Sequence, residues 1–162
     1  MAELTTLEEK LAEVTGLAMA AQGAGEKVSG LVEDDDLRQT LDQMVAEAKE
    51  TEERCTQLAE GLEGKKTAVL DKARETKQEA TEMMRTYLGS DAEGLDGFEF
   101  LVMAEAGEVG HWEVLGVLGE KAGKSEVQEL VEWAVPIQQR HFQTAREGSL
   151  KLAAAENPNA ES

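Results

Sequence analysis

The sequence is poor in the residues that cross-link or interrupt a chain. Its 162 residues include one cysteine, Cys55, and two prolines, and aromatic residues make up only 4%. A single cysteine excludes an internal disulfide, as is typical of proteins from a reducing compartment. The scarcity of proline and aromatics, together with abundant Ala, Leu, Glu, Lys and Gln, favours helix over sheet. The composition therefore predicts an all-α protein.

Positive charge is also scarce, since 16 basic residues stand against 34 acidic ones and leave a net charge of −18. Nucleic acids and anionic membranes repel such a chain, so we expect neither as a partner. No apolar run approaches the ~20 residues that a membrane helix needs. The opening sequence MAELTTLEEK is acidic and lacks the basic and apolar blocks of a secretory signal. We therefore predict a cytoplasmic protein.

Apolar residues recur at alternating spacings of three and four along four long stretches, a pattern typical of helices packed at shallow angles. The stretches cover residues 4–32, 37–62, 98–122 and 127–152. Capping boxes at Thr5 and Asp96 and a cap at Asp36 are predicted to begin three of these helices. Gly123 is predicted to end the third in a left-handed conformation.

The connections between these stretches predict their arrangement. A short acidic turn, Glu33–Asp36, joins the first two, and Gly123 joins the last two, so each pair should form an antiparallel hairpin. The long connection between the hairpins holds a weaker helix at about residues 65–88. We predict one four-helix bundle domain over residues 1–155, with an extra helix in the crossover between the second and third core helices, and a disordered tail over residues 156–162.

Two acidic residues, Glu105 and Glu108, fall on the inward stripe of the third core helix. Burying an unpaired carboxylate is costly, so each group should be neutralised, paired or bound to a metal. An antiparallel turn at Gly123 places Glu105 level with His141, and Glu108 level with Gln138. The corresponding turn of the first hairpin brings Gln22 close to Glu47 and Glu50.

The string Glu108-Val109-Gly110-His111 is a Glu-x-x-His motif, which carboxylate-bridged di-iron bundles carry on two helices. With two hairpins, a long crossover and acidic and histidine residues at mid-bundle, the chain resembles the ferritin-like superfamily, and within it a small stress-associated bacterial branch. The resemblance covers residues 4–155 in architecture but only the last two helices in motif. It implies an up-down-down-up bundle that binds iron or manganese for oxidative-stress or iron chemistry.

The resemblance implies a metal site whose ligands come mainly from the last two helices. The residues carried over are Glu105, Glu108, His111 and His141, with Gln138 and Glu47 or Glu50. The chain departs from the pattern at Gln138, where the second Glu-x-x-His motif would have a glutamate. It also has no glutamate on the inward stripes of the first two helices, so the site supplies less charge than two metal ions normally need.

A second hypothesis is a non-catalytic helical bundle that acts as an interaction or stress-protective protein. Its Glu and His residues would then form a hydrogen-bonded structural core network. We expect a homo-oligomer, specifically a dimer, formed through an apolar face of the third core helix. That face comprises Val102, Val109, Gly116 and Val117. Whether the chain is an enzyme stays open between the two hypotheses.

Overall fold

The computed structural model describes residues 2–161 and folds this range into five α-helices without a β-strand. The all-α prediction is therefore confirmed. The helices are α1 (Thr6–Ser29), α2 (Asp35–Glu60), α3 (Lys66–Tyr87), α4 (Gly94–Ala122) and α5 (Ser125–Ala154). None of these helices has the length and apolarity required to cross a membrane.

Successive helices run in opposite directions along a common axis. The end of α2 leads to Lys65, whose ammonium lies 3.3 Å from the Glu8 carboxylate at the start of α1. At the other end, Gly94 at the start of α4 lies against Val32, just beyond the end of α1. Helices α1, α3 and α5 therefore run one way, and α2 and α4 run the other. Helix α1 packs against α2, α3 and α4, and α5 packs against α4 and α2.

Helix α3 packs closely along one half of its length only. Its buried residues, Ala68, Val69 and Ala73, all lie in its first ten positions. There Gly16 of α1 allows a close approach, because a Cβ at that position would lie 2.3 Å from the Ala73 carbonyl oxygen. From residue 74 to Tyr87 no residue of α3 is fully buried. This second half leaves an opening between α3 and α4.

The core is divided into two hydrophobic clusters by a layer of polar side chains. One cluster contains Leu11, Cys55, Trp112 and Ala134 among others. The other contains Val28, Met44, Leu101 and Ala145 among others. On α1, α2, α4 and α5 alike, the buried polar residues occur between the positions that belong to the two clusters. We call this set, together with the half-buried Glu47 of α2, the polar layer; it consists of Thr15, Glu47, Thr51, Glu105, Glu108, Gln138 and His141.

The helix ends confirm part of the predicted capping. The Thr5 box is present, with Glu8 donating its backbone N–H to the Thr5 hydroxyl. Gly123 adopts the left-handed conformation, with φ of 65°. Helix α2 begins earlier than predicted, since its cap is Asp34 and not Asp36. Helix α4 likewise begins one turn early, with its capping box at Glu93 and Asp96.

Candidate functional site

The polar layer is centred on the amide of Gln138, which is 1% exposed. With its nitrogen turned toward α4, this amide donates to Glu108 Oε2 at 2.8 Å and to Glu105 Oε2 at 3.0 Å. Glu105 and Glu108 are 3% and 4% exposed. One α5 side chain thus bridges two buried carboxyl groups on successive turns of α4. These contacts confirm the antiparallel register that the sequence predicts for this hairpin.

His141 extends the network from α4 across to α2. Its Nδ1 atom lies 3.8 Å from Glu105 Oε2, and its Nε2 atom lies 3.3 Å from Glu47 Oε1. The guanidinium of Arg140 pairs with the other oxygen of Glu47. The contacts therefore continue without a break from Arg140 at the surface, through Glu47 and His141, to the two carboxyl groups at the centre.

Burial makes the centre of this network uncharged. It raises the pKa of Glu105 to about 8. Burial, together with repulsion from Glu105, raises the pKa of Glu108 well above its ordinary value. Both carboxyl groups are therefore protonated at neutral pH, because an isolated charge in an apolar interior is strongly disfavoured. A protonated carboxyl group keeps an acceptor oxygen for the Gln138 amide.

The outer end of the network is ionic. Burial opposes ionisation of Glu47, but hydrogen bonds from Arg140 and His141 outweigh it and lower the pKa of that carboxyl group. Burial lowers the pKa of His141, although its contact with Glu47 partly opposes this shift. We therefore infer a neutral imidazole that carries its proton on Nε2, facing Glu47. One ion pair, Glu47 with Arg140, remains at the edge of the layer.

Two of the predicted site residues lie outside the polar layer. The side chain of His111 is 43% exposed, and its Nδ1 atom lies 3.2 Å from Lys10 Nζ and 3.5 Å from Glu13 Oε2. Glu50 is exposed and pairs with Arg54 at 3.1 Å. Three residues turn a helix by about 300°, so His111 lies about 60° around α4 from Glu108. His111 contacts Lys10 and Glu13 of α1, whereas Glu108 contacts Gln138 of α5.

Glu47 belongs to the layer, but Gln22, which was expected beside it, does not. Gln22 instead donates to Glu52 of α2 at 2.9 Å. Arg140, which neutralises Glu47, was not among the predicted site residues, and neither were the buried hydroxyls of Thr15 and Thr51. Each hydroxyl donates to the backbone carbonyl four residues earlier on its own helix.

A signal for Arg140 exists in the register of α2 against α5. Along this seam Lys151 pairs with Asp34 at 2.7 Å, and Arg140 pairs with Glu47. Further along, Arg54 lies 4.1 Å from the centre of the Trp133 ring. Matching the basic residues of α5 to acidic residues of α2 in antiparallel order would have identified the Glu47 partner.

The arrangement does not fit a di-metal centre. Within residues 2–161 no three His, Cys, Asp or Glu side chains are placed so that they could hold a metal ion. The amide N–H groups of Gln138 point at the two carboxyl groups, where a bridging cation would have to lie. The guanidinium of Arg140 occupies Glu47. With Glu47 paired to Arg140, one imidazole and two carboxyl groups supply less charge than two divalent ions require.

Comparison of the chain with protein-family models, with curated proteins and with solved structures finds no match. Functional inference therefore rests on the geometry of the fold and of the polar layer.

Proposed function

We propose that the protein is a ferritin-like bundle without a di-metal centre, acting as an interaction or stress-protective protein. The helix directions support a ferritin-like arrangement, in which α1, α2, α4 and α5 form the up-down-down-up bundle and α3 occupies the crossover. The neighbour relations of these four helices agree with it, since α1 packs on α2 and α4, and α5 packs on the same two helices.

The observation that carries this proposal is the position of the Gln138 amide, which donates to Glu105 and Glu108 simultaneously. A buried polar group is stable when its hydrogen-bonding capacity is met. Within residues 2–161 no buried side-chain nitrogen or oxygen lacks a partner. The polar layer thus supports itself without an added ion, as a structural network does.

A structural polar layer has a specific use in a bundle whose other core contacts are apolar and adaptable. A one-turn slip of α5 along α4 would move Gln138 away from both carboxyl groups and press them against apolar side chains. An unpaired polar group in such surroundings costs about 1–3 kcal/mol. The layer therefore selects one register of the helices, in the way that a buried polar residue selects register in coiled coils.

The interaction surface that we propose lies on the outer face of α4. Val114 and Val117 are 47% and 58% exposed there, which is unusual for valine on a long core helix. Of the predicted face, Val117 is exposed, whereas Val102, Val109 and Gly116 are half-buried. We propose that this outer face joins two copies of the chain as a homodimer.

Sedimentation analysis tests the dimer with a matched pair of variants. Val117→Lys should give monomers if α4 forms the interface, because a lysine charge would have to be buried there. Leu150→Lys, at a residue that is 60% exposed on α5, serves as the control and should leave the dimer intact. A monomeric wild-type protein, or equal dissociation of both variants, would refute this interface.

Metal binding is the second candidate function, and its support is pairwise only, since Glu47 and Glu105 each approach His141 without forming a group of three that could hold an ion. The test is elemental analysis after anaerobic incubation with Fe(II) or Mn(II) and gel filtration. Our proposal predicts no stoichiometric metal and no change in melting temperature. Retention of about one metal ion or more per chain by the wild type, but not by Glu108→Ala or His141→Ala, would establish the metal site instead.

A further inference from the structure

A pocket opens between α1, the second half of α3 and α4. Its volume is about 210 Å³, and apolar side chains form most of its wall. These include Leu17, Ala21, Met84, Phe100 and Ala104. Met83 and Met103, which are 61% and 47% exposed, stand at its rim. The unbranched methionine side chain adapts readily to different ligand shapes.

The buried polar groups in this pocket are the two carboxyl groups of α4, and the half-buried Thr81 and His111 also line it. Glu105 and Glu108 both line it, whereas Gln138, on α5, does not. Gln138 reaches the Oε2 oxygen of each carboxyl group from behind. Because Gln138 approaches from the α5 side, a ligand can reach Glu105 and Glu108 from the side that lines the pocket.

Charge complementarity identifies the kind of molecule that fits. No lysine or arginine lines the pocket, and its one imidazole, His111, is engaged by Lys10 and Glu13. Paired acceptor oxygens at the end of an apolar cavity match a primary ammonium group, which has three N–H donors. The net charge of −18 attracts a cation and repels an anion.

The volume limits the apolar part of the ligand. A cavity of about 150 Å³ with apolar walls binds benzene. The pocket, at about 210 Å³, is larger by roughly the volume of a short side arm. We propose that this pocket binds a small hydrophobic primary amine in its ammonium form, with the apolar body among the alanine and methionine side chains and the ammonium on Glu105 and Glu108, one of which releases its proton to solvent as the amine binds. This inference does not depend on the proposed function, because it requires neither a dimer nor a metal.

Phenethylamine is a suitable probe, since it carries an aromatic ring on a two-carbon arm and is protonated at neutral pH. Two matched compounds separate charge from shape: 2-phenylethanol is neutral, and phenylacetate is anionic. Titration of isotopically labelled full-length protein, followed by NMR, gives the affinity of each compound and locates the resonances that shift. We expect phenethylamine to bind at least tenfold more tightly than 2-phenylethanol, and phenylacetate not to bind. The shifts should centre on Phe100 and Met84.

Variants then assign the site. Glu108→Gln keeps the shape of the side chain but removes the acid, and should weaken phenethylamine binding about ten- to hundredfold, the range for losing a hydrogen bond to a charged group. Glu99→Gln, at an exposed position of the same helix, makes the same Glu-to-Gln replacement away from the pocket and should have no effect. Ala21→Phe should fill the pocket and abolish binding.

Several outcomes would overturn the proposal. These are the absence of phenethylamine binding to the wild type, equal affinity for amine and alcohol, or shifts confined to residues away from the pocket. Unchanged affinity in a folded Ala21→Phe variant would overturn it as well, and this variant remains informative if Glu108→Gln fails to fold.

Discussion

Replacing Glu105 by glutamine should change how the stability of the protein depends on pH. The pKa of Glu105 is about 8 in the folded protein, against an ordinary value of 4.5 in an unfolded chain. Between these values the folded protein holds a proton that the unfolded chain has released. The stabilisation from Glu105 is therefore complete below about pH 4.5 and is lost as the pH rises toward 8. Glu105→Gln has no such proton to hold.

The size of the effect follows from the width of this window. Each pH unit inside it changes the free energy of unfolding by about 1.4 kcal/mol for one proton. Between pH 5 and pH 7 the wild type should lose up to about 3 kcal/mol from this group. Glu105→Gln should therefore gain stability relative to the wild type by up to about 3 kcal/mol over the same interval. His141 and Glu47 titrate in both proteins, so their contributions largely cancel in the difference.

The assay is urea unfolding of both proteins at pH 5, 6, 7 and 8 in the presence of a chelator, with circular dichroism as the probe. Glu99→Gln, on the exposed side of α4, is the control for loss of one acidic residue and should run parallel to the wild type. If Glu105→Gln also runs parallel to the wild type, Glu105 is ionised in the folded state, and our description of an uncharged layer centre is wrong.

Two further predictions concern the core. Gly148→Ala should destabilise the protein by about 1–3 kcal/mol, because the new Cβ would lie 2.2 Å from the buried Phe98 ring. Gly107→Ala, whose new Cβ would have nothing within 4 Å, should instead stabilise it by up to about 1 kcal/mol. Urea unfolding measures both changes, and equal effects would contradict the packing described here. Burial raises the pKa of the Cys55 thiol to about 12, so a disulfide reagent at pH 8 should react only after urea unfolds the protein; rapid reaction in the folded state would show that this thiol is accessible.

The predicted helices agree with the structure because their signal is local. Apolar spacing located the four core helices, and the weaker stretch at 65–88 corresponds to α3. The caps of α2 and α4 were predicted about half a turn to one turn late, since more than one acidic residue near each helix start can accept a backbone N–H. Asp34 was chosen over Asp36 at α2 by the conformation of the turn, which the sequence pattern does not specify.

The candidate site was predictable in its centre and not at its edges. Glu105, Glu108, Gln138 and His141 lie on inward stripes of two consecutive helices, so a short turn sets their levels. His111 precedes the inward Trp112 by one position and is rotated about 100° away from it. A residue at this angle can face the helix on either side of α4, and in the structure His111 contacts Lys10 of α1.

The sequence by itself determined that this chain is helical and that two carboxyl groups and an imidazole face inward at one level, because a periodic pattern of apolar residues fixes which side of each helix is buried. Only the tertiary structure decided which side chains pair with those groups and which of them border a pocket. Arg140 meets Glu47 across two helices far apart in the chain, and α3, which packs on α1, leaves a pocket beside Glu105 and Glu108. These contacts depend on how non-consecutive helices are rotated and shifted against each other, and that is settled by packing over the whole bundle.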